Sequence, residues 1–176
     1  MEIIQEPFPH VIFSLSKAEY QEIQLAWPFE FIESKSSLKG NAIGVEFSWK
    51  ARLAGELSSL FGVGGSPTLG RFMLRKPGYA LPPHIDPPGL NLTIIHYLPF
   101  DGQGEEAGTV LYTSSKIPKW KKGKSTVYLK EQDCIPSLVV PFRAGTGLAF
   151  PNTQKAIHGV PEIKEERRLY QWHLRD

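Results

Sequence analysis

Two histidines and an aspartate form a candidate metal site. His84 and Asp86 lie two residues apart in the segment 81–89, whose four prolines favour extended backbone over helix. In extended chain, residues i and i+2 point to the same side, so an imidazole and a carboxylate can reach one ion. His158, far along the chain, could supply a third ligand. Two histidines and one carboxylate leave open positions on a divalent metal, which suits non-haem Fe(II) and oxygen chemistry.

The composition is that of an ordinary globular protein and excludes several classes. The chain of 176 residues is long enough for one domain with a core. Its net charge of +2 lacks the basic excess of a nucleic-acid-binding protein, and no apolar run is long enough to span a bilayer. Residues 1–6 do not resemble a secretory signal, and the single Cys134 cannot form an internal disulfide. We therefore expect a cytoplasmic protein with no membrane or nucleic-acid partner, of unknown oligomeric state.

Two helices are predicted in the first third of the chain. Ser16 and Glu19 have the spacing of a capping box and predict a helix that ends near Ala26. Apolar side chains recur at helical spacing from Trp49 to Phe61, and Ser48 could cap the start of this second helix.

The remainder of the chain shows the pattern of short β-strands. Turn residues separate short alternating runs about every 10 residues, which is typical of an all-β sandwich or barrel. We predict a single domain over residues 1–176 that is mainly β with N-terminal helices. A helical support region (1–66) would precede a jelly-roll barrel, or double-stranded β-helix (67–176), with the helices packed on one outer face. The expected strands are 11–15, 68–75, 92–98, 109–113, 126–129, 138–140, 147–150 and 169–174.

Several motifs follow one another in a fixed order through the last two thirds of the chain. In order, they are Pro77-Gly78, His84-Ile85-Asp86, the run 92–98 with its Tyr-Leu ending, Gly108-Thr109-Val110-Leu111, the run 145–151, His158-Gly159-Val160 and Arg167-Arg168. Together they resemble the 2-oxoglutarate- and Fe(II)-dependent dioxygenases, specifically the prolyl-4-hydroxylase-like branch.

The resemblance implies an activity and a set of cofactors. His84, Asp86 and His158 would be the catalytic residues and the ligands of Fe(II). 2-Oxoglutarate and O2 would take the open sites on the metal, with ascorbate as a possible addition. The implied reaction converts 2-oxoglutarate into succinate and CO2 and hydroxylates a substrate. That substrate is a small molecule or a peptide, for which a prolyl or other amino-acid residue is one candidate.

The resemblance also implies a cation for the far carboxylate of 2-oxoglutarate. Arg167 and Arg168 both lie at the family's spacing from the distal histidine. We expect Arg168, because many relatives place this arginine ten residues after that histidine. If Arg168 points inward, alternation turns Tyr170 and Trp172 inward as well; Arg167 is the alternative.

The predicted strand 92–98 would line the same pocket. Alternation puts Thr93, Ile95 and Tyr97 on its inner face and His96 on the other, where a packing role is expected. By resemblance, the hydroxyl of Tyr97 would bind the far carboxylate, and Thr93 and Ile95 would line the pocket.

Three further residues are expected near the substrate. Arg75 stands where the family often carries a tyrosine close to the co-substrate, so it could be a second cation of the site. Trp120 lies in the basic run 116–124, which is either a solvated loop or a substrate lid. Trp172 would follow Arg168 into the pocket.

Two other functions use the same ligand types. A non-catalytic jelly-roll domain could hold a metal or another ligand without turnover, although it would not need the arginine and Tyr97. A zinc hydrolase would need a general base, and the sequence offers no clear one. Succinate formation separates the oxygenase from both.

Overall fold

The computed structural model describes residues 1–33, 38–120 and 126–176, and within them the chain is mainly β with two α-helices, as predicted. The helices are α1 Lys17–Leu25 and α2 Ser48–Phe61. The strands are β1 Val11–Ser14, β2 Ile32–Glu33, β3 Lys39–Ile43, β4 Ser66–Pro67, β5 Arg71–Arg75, β6 Leu81–Ile85, β7 Leu92–Tyr97, β8 Val110–Ser114, β9 Val127–Tyr128, β10 Cys134–Val139, β11 Thr146–Pro151, β12 His158–Val160 and β13 Arg167–Arg175.

The strands form two antiparallel sheets. The larger sheet has the order β1-β11-β7-β13-β5-β3-β2, with β4 paired to β13. The smaller sheet has the order β10-β8-β12-β6-β9. Apart from β2 and β3, no neighbouring strands among those described are consecutive in the chain, which is the connectivity of a jelly roll rather than of a series of hairpins. As a result, β6 and β12, which carry the candidate metal ligands, lie side by side.

Two apolar clusters account for most of the core. The first combines buried side chains of both helices, such as Ile23 and Leu57, with Ile94 and Trp172 of the larger sheet. The second combines side chains of the two sheets and includes Ile95, Leu111, Leu148 and Leu169. Each fully buried Leu or Ile contributes about 1.5–3 kcal/mol, so these clusters dominate the energy of the fold.

Strand β7 belongs to both clusters. Ile94 packs in the cluster that contains the helices, whereas Ile95 and Tyr97 pack in the cluster between the sheets. All six residues of β7 are buried, because the strand is central in its sheet. The alternation predicted for this segment is confirmed.

The two helices begin in different ways. Ser16 and Glu19 form the predicted capping box, with each side chain bonded to the backbone N–H of the other residue. The predicted cap of α2 is wrong: Ser48 is its first helical residue, and Phe47 precedes it without a side-chain cap. The fully buried ammonium of Lys50 instead fastens this end, since it donates to Glu46 and to the carbonyl of Thr68 at 2.7 Å each.

Some elements differ from the sequence prediction. The strand expected at 68–75 begins only at Arg71, and the one expected at 138–140 begins earlier, at Cys134. Strands β2, β3, β4, β6 and β12 were not predicted. Residues 121–124 of the basic run lie outside the described residues. No helix in the described ranges has the length and apolar character needed to cross a membrane.

Candidate active site

Three side chains with metal-binding atoms meet between the sheets. His84 of β6 is the Cα partner of His158 on β12, and their ring centroids are 4.2 Å apart. Asp86 follows β6 directly. Its Oδ1 lies 3.9 Å from Nε2 of His84 and 3.8 Å from Nε2 of His158. The three ligand atoms all lie within 4.8 Å of one another, so one ion could contact all three, as the sequence predicted.

Gly159 allows β12 to approach β6 this closely. A Cβ at this position would lie 2.7 Å from the carbonyl oxygen of Leu81, which is backbone and cannot move aside. The absence of a side chain at Gly159 therefore helps to set the distance between the two histidines.

Backbone carbonyls orient both imidazoles. Nδ1 of His84 lies 2.9 Å from the carbonyl oxygen of Pro82, and Nδ1 of His158 lies 3.0 Å from that of Ala156. A carbonyl can only accept, so each Nδ1 carries the proton. The lone pair of each ring is then on Nε2, which faces Asp86. This arrangement of the outer hydrogen bonds is the one that metal-binding histidines usually have.

Asp86 is held from two sides. Thr93 donates its hydroxyl to Oδ2 at 2.6 Å, so Oδ1 is left for a metal ion. The indole N–H of Trp120 donates to the backbone carbonyl of Asp86 at 2.9 Å. Trp120 therefore anchors its loop beside a candidate ligand.

The electrostatics of the site keep His84 and Asp86 in their metal-binding forms. Burial, followed by the nearby His158, lowers the pKa of His84 to about 4, so this imidazole is neutral at neutral pH. Burial alone would raise the pKa of Asp86. His158, the hydroxyl of Thr93 and His84 outweigh it, and the pKa of Asp86 stays below its ordinary value. A neutral imidazole and an ionised carboxylate are the forms that bind a cation.

We expect Thr93→Val to weaken divalent-metal binding by about tenfold, because Asp86 would lose the bond that fixes its carboxylate. Titration of the purified protein with Mn(II) measures the change. Thr113→Val is the matched control, since Thr113 is exposed on β8. Unchanged affinity in Thr93→Val would show that the hydroxyl does not position the carboxylate.

A cavity of about 230 Å³ extends from these ligands toward the larger sheet. Arg167 lies in its wall and is 3 % exposed. Its Nε donates to the carbonyl of Ala107 at 2.6 Å, and its Nη2 donates to Oγ1 of Thr109 at 3.2 Å. The hydroxyl of Tyr97 donates to the same Oγ1 at 2.7 Å. The guanidinium is thus fixed in the cavity that the metal-binding atoms face.

The expectation that Arg168 faces the cavity is wrong. Its guanidinium lies 3.6 Å from the ring centroid of Phe100 and 4.9 Å from that of Trp27, and it pairs with Glu166 at 3.0 Å. The alternation of β13 turns Arg167 toward the cavity and Arg168 away from it. Arg167, the alternative, is therefore the inward arginine.

The expectation for Trp172 is wrong for the same reason. This side chain shares the face of Arg168 and is fully buried in the cluster that contains the helices. Its indole N–H donates to Nε2 of His96 at 2.9 Å. His96 is therefore the packing residue that its place on β7 predicted, and Trp172 does not line the cavity.

The other predicted residues are placed as follows. Ile95 lines the cavity. Thr93 and Tyr97 do not line it themselves, but they donate hydrogen bonds to two residues that do, Asp86 and Thr109 respectively. Arg75 lines the cavity as well. Any binding of a ligand by these residues stays a prediction.

Sequence reasoning missed several residues of the site, among them Thr109, Lys39 and Tyr79. Thr109 lies in the quoted Gly108–Leu111 motif, which is the only signal that could have found it. Lys39 and Tyr79 also line the cavity. Lys39 lies in a segment for which no element was predicted.

Comparison with known proteins gives matches among solved structures alone. No family model matches the sequence, and no curated protein does. A 2OG-Fe(II) oxygenase family oxidoreductase from Burkholderia pseudomallei aligns at 12% identity, over 94% of this chain and 84% of its own, with a TM-score of 0.60. A prolyl-4-hydroxylase from Pseudomonas putida aligns at 16% identity, over 95% of this chain and 92% of its own, with a TM-score of 0.58.

The chain has the fold of the 2-oxoglutarate- and Fe(II)-dependent oxygenases. A third example is HygX from Streptomyces hygroscopicus, solved with nickel, 2-oxoglutarate and hygromycin B. It aligns at 14% identity, over 94% of this chain and 82% of its own, with a TM-score of 0.59. Because each alignment covers nearly the whole chain, the oxygenase fold includes the N-terminal helices as well as both sheets.

Proposed function

We propose that this protein is a 2-oxoglutarate- and Fe(II)-dependent dioxygenase. The observation that carries the proposal is a convergence in one cavity. His84, Asp86 and His158 can hold one ion at the smaller sheet, and Arg167 lies in the wall formed by the larger sheet. A metal site without a co-substrate has no need of a buried cation, whereas a dicarboxylate that chelates the metal needs one for its far end.

The residues of the chain would divide the work in a simple way. His84, Asp86 and His158 would hold Fe(II), which when bound supplies oxidative decarboxylation of 2-oxoglutarate coupled to hydroxylation of a C–H bond. Arg167 would bind the far carboxylate of 2-oxoglutarate. Tyr97 would keep Thr109, and through it the guanidinium, in position.

The fold supports this division of labour over a single domain. In the proposal, the region 1–66 is a support whose helices pack on the outer face of the larger sheet. The first apolar cluster favours this, since it joins residues of both helices to that sheet. The barrel then keeps a rigid wall opposite the metal.

The substrate is proposed to be a small molecule or a peptide. Similar structures include prolyl hydroxylases and HygX with bound hygromycin B, so the fold accommodates both kinds. Hydroxylation of a prolyl or other amino-acid residue remains the more specific form of the proposal.

The test is turnover without added substrate. Protein incubated with Fe(II), ascorbate, O2 and 2-oxoglutarate is expected to release succinate slowly. Anaerobic titration with Fe(II) and 2-oxoglutarate should show binding of both. Binding of the metal and 2-oxoglutarate with no succinate under any condition would favour the non-catalytic alternative, and absence of metal binding would end the proposal.

A further inference from the structure

A row of three cations crosses the wall of the cavity. Arg167 on β13 is the Cα partner of Arg75 on β5, and Arg75 is the Cα partner of Lys39 on β3. Neighbouring strands lie about 4.8 Å apart, so the row extends about 10 Å sideways from Arg167. All three side chains line the cavity that the metal-binding atoms face.

None of these cations has an anionic partner in the part of the chain that the structure describes. Arg75 donates to the carbonyls of Gly40 and Leu74 and to the amide oxygen of Asn41, which are all neutral. The ammonium of Lys39 makes no hydrogen bond or ion pair with a described residue and lies 5.4 Å from the ring centroid of Tyr79. Within the described part of the chain, its N–H donors are therefore open to a ligand.

The charges of the cavity do not balance even with the proposed cofactors in place. Among the described residues that line it, three are cations and Asp86 is the one carboxylate. Fe(II) and the 2-oxoglutarate dianion cancel each other in charge. Two positive charges remain in excess, and the guanidinium of Arg75 is buried, where an unpaired charge is costly.

The excess charge lies toward the opening of the cavity. Arg75 is buried, whereas Lys39 is half-buried, and Tyr128 on the opposite wall is 58 % exposed. The guanidinium of Arg75 also lies over the ring of Tyr79, at 5.3 Å from its centroid. Lys39 and Arg75, both in contact with the ring of Tyr79, therefore lie between Arg167 and the solvent. The primary substrate would enter the cavity on this side, after the metal and 2-oxoglutarate are bound.

We propose that Lys39, supported by Arg75, binds an anionic group of the primary substrate at the mouth of the cavity. A carboxylate and a phosphate both fit, since an ammonium can donate to the oxygens of either without a fixed geometry. Arg75 would act mainly through its positive charge and not through hydrogen bonds to the substrate, because neutral backbone and side-chain oxygens already accept from several of its N–H groups. The inference rests on the proposed function, because it takes 2-oxoglutarate to occupy Arg167.

The test uses simple anions as probes. Protein saturated with Mn(II) and 2-oxoglutarate under anaerobic conditions is titrated with inorganic phosphate and, in a separate arm, with propionate. Saturable binding is expected in at least one arm. Lys39→Gln should weaken it by about tenfold, as for a lost hydrogen bond to a charged group, and Lys39→Arg should restore most of it. Lys17→Gln, at an exposed position of α1, is the matched control.

The outcomes separate the inference from the function on which it rests. Equal phosphate and propionate binding by wild type and Lys39→Gln would overturn the inference, because those anions would then be bound by the metal or elsewhere. Absence of saturable binding would overturn it too. So would a Lys39→Gln variant that loses affinity for 2-oxoglutarate instead, since the cation would then serve the co-substrate. Absence of succinate formation without substrate in the wild type would count against the proposed function alone, because the anion titration does not depend on turnover.

Discussion

Replacing Asp86 with alanine is expected to lower Fe(II) affinity by about a hundredfold or more and to abolish succinate formation. Loss of an outer-shell partner of a metal ligand already costs about 10- to 100-fold in affinity, and Asp86 is itself a ligand in the proposed site. It is also the one charged ligand of the three, because both histidines bind in their neutral form. Without it, two imidazoles would have to hold the ion alone.

The stability of the protein should also report the loss of the metal. The metal-free Asp86→Ala protein is expected to melt at or slightly below the temperature of the metal-free wild type, because His158, Thr93 and His84 favour the ionised carboxylate in the folded state. Metal at about 100 times its Kd stabilises the wild type by about 2.7 kcal/mol, and the variant should lose this gain. Thermal melts with and without Mn(II) measure both effects.

Asp101→Ala is the matched control for this experiment. Asp101 is an exposed aspartate in the turn after β7, away from the cavity. The Asp101→Ala protein should bind Mn(II) and form succinate as the wild type does. If Asp86→Ala kept the metal-induced rise in melting temperature, the three-ligand site would be wrong, whatever the similarity of the fold.

The candidate metal site was predictable because it depends on local geometry and on donor chemistry. The prolines around His84 and Asp86 fix extended backbone, and alternation then aims both side chains at one point. The sequence did not predict the pairing of β12 with β6, but the motif around His158 identified the third candidate ligand. Strand β7 was equally clear, since its run of β-branched residues favours a buried strand.

The region that supplies Lys39 was not predictable. Strands β2 and β3 have little periodicity of their own, and β3 is held in place by its pairing with β5. Such elements exist because of long-range pairing, which sequence patterns do not record. The prediction therefore found Arg75 but missed the cation beside it.

The most serious error of the sequence prediction was the orientation of β13, that is, which of its side chains face the cavity. Both of its faces are buried, because it lies between β7 and β5 and against both apolar clusters. Apolar residues on both sides, such as Leu169 and Tyr170, leave no polar face to show which side meets solvent. A shift of one residue then exchanges the two arginines. Family spacing could not decide it, since both lie within the range.

Arg167→Gln is therefore expected to raise the Kd for 2-oxoglutarate by about a hundredfold, whereas Arg168→Gln should leave it within about twofold. The first variant removes paired charge-assisted hydrogen bonds to a carboxylate, which are worth about 1.5–3 kcal/mol each. The second removes a guanidinium that contacts Phe100 and Trp27 outside the cavity. Titration of Mn(II)-loaded protein with 2-oxoglutarate compares the two directly.

Two further measurements make the comparison decisive. Mn(II) binding without 2-oxoglutarate should be unchanged in both variants, which shows that the metal site is intact. Arg168→Gln should instead lose about 0.5–1 kcal/mol of stability from its ring contacts, a fall of about 2–4 °C or less in melting temperature. Arg167→Lys should recover part of the affinity, because an ammonium supplies the charge without the paired geometry. If Arg168→Gln rather than Arg167→Gln weakened 2-oxoglutarate binding, the assignment of which β13 side chains face the cavity would be wrong.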